Sequence, residues 1–292
     1  MSILTVYDVT GIQKFIFSSS KLKENFGGSL LVARVMDELL VAAVKQANSK
    51  AYTDWKNSPD FKMLTDHDAD AEIVYIGGGN AYVAYKDKAT SVRTTKAFSK
   101  SVFEETYSLT VLSASVEADF EKDDYKIKMK ELQKTMDKKK NEFIRTSPLK
   151  NISITKESSN LKPVIKKEKD EFLDTESIIK RNEFMDNHDI YNDKFLDGKN
   201  YIFPKDLENM GQRKGENHIA VVHIDGNNMG KSIEKALENI KTFRQAVPRM
   251  RQISCNIALE YKDAFDQLIK FIIDKIENNE SLKNRLNLSK DN

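Results

Sequence analysis

Three short stretches hold residues whose types and spacing could do chemistry. In "VVHIDGNNMGKS", residues 221–232, Val221, Val222 and Ile224 make a strand pattern that delivers Asp225 to its end. Gly226 permits an abrupt turn, and a helix pattern starts near Asn227 or Asn228. The free N–H groups of a helix start favour phosphate. A carboxylate beside them can hold a divalent cation that bridges the same phosphates. The candidate metal ligands are therefore Asp225 and the backbone carbonyl of Ile224, for Mg²⁺ or Mn²⁺. The candidate phosphate turn comprises Asp225, Gly226, Asn227, Asn228, Gly230 and Lys231. The same spacing suits a plain helix cap made by Asp225 and Asn227, and spacing alone leaves both readings open.

The second stretch is "VYDVTGIQ", residues 6–13. Asp8 stands at the end of a strand pattern, as Asp225 does, and Gly11 breaks the chain before a short helix pattern. Thr10 is a candidate N-cap, Gln13 could contact a base or a facing unit, and capping alone is the simpler reading of this Asp. The third is "YIGGGNAYVAY", residues 75–85, which reads as two strands joined by a tight turn. Gly77, Gly78, Gly79 and Asn80 tolerate positive φ and let a ligand approach backbone. A two-metal site would need acids at this turn. Gly79 and Asn80 are neutral and cannot supply them.

The elements that must position these groups follow from periodicity. Residues 2–9 form a buried-type strand, "IQKFIFSSS" a short helix, and 27–48 a longer one with Leu30, Leu31, Val35, Leu39 and Val44 near one stripe. Two strands surround the glycine turn, 90–107 reads as an amphipathic helix and 108–118 as a strand. The order βααββαβ predicts an α+β, ferredoxin-like palm domain over residues 1–118. Residues 119–216 are highly charged, with a thin apolar stripe at Ile127, Leu132 and Met136, and read as a connector or insertion, partly flexible. From 217 to 292 the strand–Asp–turn–helix logic starts again, followed by a long amphipathic helix over 241–277. This second unit reads as the first half of another palm.

Bulk properties narrow the classes. The chain has 292 residues, 47 basic and 45 acidic, for a net charge of +2, so any nucleic-acid contact must come from local patches. Its single cysteine, Cys255, excludes an intrachain disulfide and a cysteine-cluster zinc site. No signal pattern opens the chain and no apolar run reaches the ~20 residues of a membrane span, so a cytoplasmic setting without membrane contact is expected. The four histidines are scattered, and no serine or cysteine nucleophile constellation is visible. The lysine-rich runs "DKKKNEF" and "VIKKEKDE" read as solvated faces.

"YDVTGIQKFIFSSSKLKENFGGSLLVARVMDELL" followed by "VYIGGGNAYVAY" resembles the first palm of the polymerase/cyclase-like large subunit of type III CRISPR effector complexes. The match is carried by Asp8, Val9, Thr10, Gly11, Ile12, Gln13, Phe15 and Ile16, then Gly27–Gly28–Ser29, then Gly77–Gly78. "HIDGNNMGKSI" resembles the opening metal-binding motif of that family's second palm. The resemblance implies that Asp225 ligates Mg²⁺ and that the following turn holds an ATP triphosphate. In that family an active second palm carries Gly-Gly-Asp-Asp and joins ATP into cyclic oligoadenylate when target RNA is bound.

Three departures matter. With the palm pattern opening at residue 2, no N-terminal HD nuclease domain is expected, and the sequence holds no four-cysteine zinc module and no Gly-Gly-Asp-Asp. A small stand-alone or truncated relative is expected, one that binds an ATP-like nucleotide in antiviral defence. It would act as a nucleotidyltransferase or cyclase only if a further acidic hairpin completes it. A second palm, a homodimer partner or an RNA-guided complex would be its partners. The alternative is a non-catalytic nucleotide sensor or an assembly scaffold.

Overall fold

The computed structural model describes residues 1–144, 156–203 and 228–281. The elements run β1 (Ser2–Thr10), α1 (Ile12–Ile16), α2 (Leu22–Arg34), a π-helical stretch (Val35–Leu40), α3 (Val41–Ala47), β2 (Ala51–Tyr52), β3 (Ala71–Gly77), β4 (Asn80–Tyr85), α4 (Lys88–Thr106) and β5 (Thr110–Ala118). Beyond them come α5 (Tyr125–Glu142), β6 (Lys166–Glu168), β7 (Glu171–Leu173), α6 (Thr175–Asn187), α7 (Ile190–Phe195), α8 (Met229–Ala236) and α9 (Phe243–Glu277).

The main sheet has the order β2-β3-β4-β1-β5. The strands β3, β4, β1 and β5 are joined by antiparallel ladders. That is the ferredoxin-like arrangement expected from the sequence, in which the first strand lies between the hairpin and the last strand. A two-residue strand, β2, adds a parallel edge that the hydrophobic pattern did not reveal. The expected helix over 27–48 is longer and interrupted: it starts at Leu22 and passes through the π-helical stretch before α3. Gly27 and Gly28 consequently lie inside α2 rather than at a helix start.

Seven consecutive residues of β1, Ile3 to Val9, are buried, because both faces of the sheet are covered. Ile3, Tyr7 and Val9 pack with Ile73, Val83, Tyr85, Leu31, Leu40, Val44 and Phe98 on the face under α2, α3 and α4. Leu4 and Val6 pack with Val74, Ala84, Ala114 and Val116 on the other face, against Tyr125, Leu132, Met136, Phe243, Val247 and Met250. Strand alternation sends successive side chains to opposite faces, so one strand serves two cores. Two of the three stripe residues expected in the charged zone, Leu132 and Met136, are in this second core; Ile127 points outward at 64% exposure.

Caps set several helix starts. The Asp87 side chain accepts from the Thr90 amide at 2.7 Å to begin α4, and Asp124 accepts from the Lys126 amide at 2.8 Å to begin α5. The helix α9 is fastened to β3 by Arg251, which is 3% exposed. Its guanidinium donates to the Glu72 carboxylate at 2.7 Å and to the carbonyls of Val74, Ile73, Asp60 and Ser58.

Candidate functional site

The glycine hairpin closes as a two-residue turn. Gly77 pairs with Asn80, while Gly78 at φ 61° and Gly79 at φ 78° occupy the left-handed region. Positive φ at both central residues matches the right-handed strand twist, which is why glycine serves there. The turn is tied to the first motif: the Val9 amide donates to the Gly79 carbonyl at 3.1 Å, and Asp8 is paired with Asn80 in the ladder. Gly11, at φ 71°, is the N-cap position of α1 and Ile12 reaches toward Gly79. Asp8, Gly11, Gln13, Gly77, Gly78, Gly79 and Asn80 are thus gathered at one end of the sheet, with Gly11 and Gln13 exposed.

Asp8 does not cap α1, and neither does Thr10, since the helix has no side-chain cap bond. Asp8 stays in the ladder through Thr10, so its side chain leaves from the sheet face and not from the helix start. Its carboxylate oxygen Oδ1 instead accepts from the Lys140 ammonium of α5 at 2.9 Å. Asp8 is 7% exposed, so this cation balances a largely buried charge. The residues here do not suit a divalent cation: Asp8 brings one carboxylate, Lys140 already engages it, and Gly79 and Asn80 bring no charge. Among the described residues, no group of three or more His, Cys, Asp or Glu is placed to hold a metal ion.

Of the second motif, Asn228, Gly230 and Lys231 are described. Asn228, at φ 56°, precedes α8, whose start makes no side-chain cap bond. Ile224, Asp225, Gly226 and Asn227, and the strand expected before them, lie outside the described residues.

Gly230 and Lys231 line a cavity of about 910 Å³ that the motif reading did not anticipate. Tyr75 and Tyr82 form one wall, α5 supplies Lys126, Met129, Lys130 and Gln133, and α8 supplies Ile233, Glu234 and Lys235, with Leu237 just past its end. The tyrosine rings stack, with centroids 4.7 Å apart and planes 18° from parallel. Burial pushes the Tyr75 hydroxyl well above the ordinary phenol value. Burial also raises Tyr82, and the Asp8 charge adds to the rise. Both hydroxyls therefore stay neutral across the physiological range. The signal was present in "YIGGGNAYVAY": with Gly77 opposite Asn80, Tyr75 falls opposite Tyr82.

The base of α1 is held from below by a second unanticipated group. The Lys180 ammonium of α6, 1% exposed, donates to the Phe15 carbonyl, to the Ser18 hydroxyl at 2.8 Å and to the Glu176 carboxylate at 2.7 Å. Glu176 also accepts from Lys162 at 2.5 Å, Ser18 at 2.7 Å and Ser108. Burial alone would raise Glu176, but the hydrogen bonds from Lys162, Lys180 and Ser108 outweigh it and bring the group to about 2. A Cβ on Gly27 would stand 1.9 Å from the Lys180 carbonyl oxygen, so this glycine permits the contact between α2 and α6.

No family model and no curated protein matches the chain. Among solved structures it is similar to a chain of the crystal structure of a Csm1-Csm4 cassette in complex with cA3, at a TM-score of 0.34 and 15% identity, over 48% of this chain and 19% of that one. The protein therefore spans about a fifth of that chain's length.

Proposed function

We propose that this chain is a palm-type nucleotide-binding protein, related to the large subunit of type III CRISPR effector complexes and working in antiviral defence. Its role is to hold an ATP-like nucleotide without turning it over alone. The observation that supports the non-catalytic reading is the Asp8–Lys140 pair, in which an ammonium already engages the carboxylate that a catalytic copy would offer to a metal. The neutral hairpin at Gly79 and Asn80 supports it further, since no acid faces Asp8 across the ladder.

Nucleotide binding is assigned to the second motif. Asp225 and the Ile224 carbonyl would hold Mg²⁺ or Mn²⁺, which when bound would neutralise phosphate charge. The turn of Gly226, Asn227, Asn228 and Gly230 would present backbone N–H groups to the phosphates, and the exposed Lys231 would add a cation. A facing palm, a second copy or an RNA-guided assembly would complete the surroundings.

The test is to incubate the purified protein with labelled ATP and Mg²⁺ or Mn²⁺ while following thermal unfolding. The expected result is ATP-dependent stabilisation that Asp225→Ala abolishes, with neither pyrophosphate nor cyclic product. A ligand at a hundred times its Kd stabilises by about 2.7 kcal/mol, a readily measured shift. Product that disappears in Asp225→Ala would overturn the non-catalytic reading. A melting temperature indifferent to millimolar ATP would overturn nucleotide binding itself.

A further inference from the structure

We propose that the cavity between the Tyr75–Tyr82 stack, α5 and α8 seats the base of a mononucleotide, whose phosphates meet the lysines at its rim. The inference rests on the nucleotide-binding reading above and adds a base subsite to it.

The aromatic wall is the first reason. Tyr75 and Tyr82 sit opposite each other in the hairpin ladder and are stacked nearly parallel, so their rings are held in one orientation by the sheet. A preorganised aromatic pair that lines a cavity suits a flat ligand. Stacking a base on an aromatic side chain contributes about 1–3 kcal/mol and tolerates any base. The opposite walls are apolar, from Met129, Ile233, Leu237 and Met250. The volume of about 910 Å³ lies within the ~300–1,000 Å³ usual for small-molecule sites.

Charge is the second reason. Lys126, Lys130, Lys231 and Lys235 line the cavity against two acids, Glu234 and Glu238. The Lys126 ammonium is engaged by the Glu238 carbonyl. The ammonium groups of Lys130, Lys231 and Lys235 make no ion pair among the described residues, leaving an excess of cations beside an apolar floor. An apolar flat seat with a cationic rim matches a nucleobase with an anionic tail. A wholly apolar ligand would leave these lysines without a counterion. A bare polyphosphate would leave the aromatic wall unused.

The experiment compares ATP with inorganic tripolyphosphate, which lacks the base, by titration calorimetry on the full chain. Tyr82→Leu should weaken ATP by about 5- to 150-fold, the equivalent of one stacked base, and leave tripolyphosphate unchanged. Tyr82→Phe, which keeps the ring, should bind ATP as the wild type does. Lys130→Glu with Lys235→Glu should weaken both ligands, more so at low salt. Should Tyr82→Leu fail to fold, photolabelling of the wild type with 8-azido-ATP gives an independent reading. Label is expected in residues 75–82 or 125–133, displaced by ATP more readily than by tripolyphosphate.

Wild-type ATP binding that is insensitive to Tyr82→Leu, or label confined elsewhere, would overturn the base seat and leave the nucleotide reading standing. Complete absence of ATP binding by the wild type would overturn both. Tighter binding of a single-stranded oligoadenylate RNA than of ATP would overturn the assignment to a mononucleotide.

Discussion

Replacing Glu176 by glutamine probes the charge cluster that supports α1, the helix entering the hairpin site. Glu176 is 3% exposed, and its pKa falls from 4.5 to about 2 because the hydrogen bonds from Lys162, Lys180 and Ser108 outweigh burial. A folded-state value below the unfolded one means stability that is full above the unfolded pKa and is lost as pH falls through the folded one. The separation corresponds to about 3 kcal/mol at neutral pH, of which about 2 kcal/mol is gone by pH 3. Glu176→Gln removes that contribution and leaves the Lys180 ammonium, 1% exposed, facing a neutral amide. Breaking one side of a buried pair costs about 3–5 kcal/mol.

Urea unfolding at a series of pH values reads both effects. At pH 7 the variant should lose about 3 kcal/mol, and between pH 5 and 2 its stability should decline less steeply than the wild type's. The double variant Glu176→Gln/Lys180→Met removes both charges and should recover part of the loss. Because Lys180 also holds the Phe15 carbonyl and Ser18, amides of residues 12–18 should exchange faster in the single variant. An acid slope equal to the wild type's, with unchanged exchange at α1, would refute the claim that charge holds this cluster.

Two further substitutions test the packing of the frame. Gly27→Ala should destabilise by more than the ordinary gain of alanine in a helix, because the new Cβ would stand 1.9 Å from the Lys180 carbonyl oxygen and must separate α2 from α6; urea titration against the wild type measures it. Arg251→Met should lose about 3–5 kcal/mol, since it strands the buried Glu72 carboxylate and frees four backbone carbonyls; adding Glu72→Gln should return part of that, and a loss below ~1 kcal/mol would show that α9 is held by other contacts.

Much of the frame was legible in the sequence because it depends on local rules. The period-2 runs around "GGG" and the positive φ that Gly78 and Gly79 adopt made the hairpin readable. The helices α4 and α9 fell close to the positions their periodicity predicts, over Lys88–Thr106 and Phe243–Glu277. The neutrality of Gly79 and Asn80 could be read from residue type alone. No local rule could identify what the Asp8 side chain would touch: Lys140 is 132 positions away and looks like any other lysine in a charged helix.

The same limit explains Lys180, Arg251 and the tyrosine cavity. Lys180 meets Glu176 one turn back on its own helix, but its burial also needs Phe15 from 165 positions away, and Arg251 is buried against Glu72 and Val74 brought from a distant segment. Composition places such residues outside, and only a satisfied set of partners makes burial affordable to the fold. The sequence by itself determined a ferredoxin-like sheet and a glycine turn without acids. Tertiary structure decided that an ammonium faces Asp8, that both faces of β1 are covered, and that two tyrosines and the lysines of two helices share one cavity. The first set depends on torsion angles and periodicity within a few residues; the second depends on contacts that exist only once the chain has closed on itself.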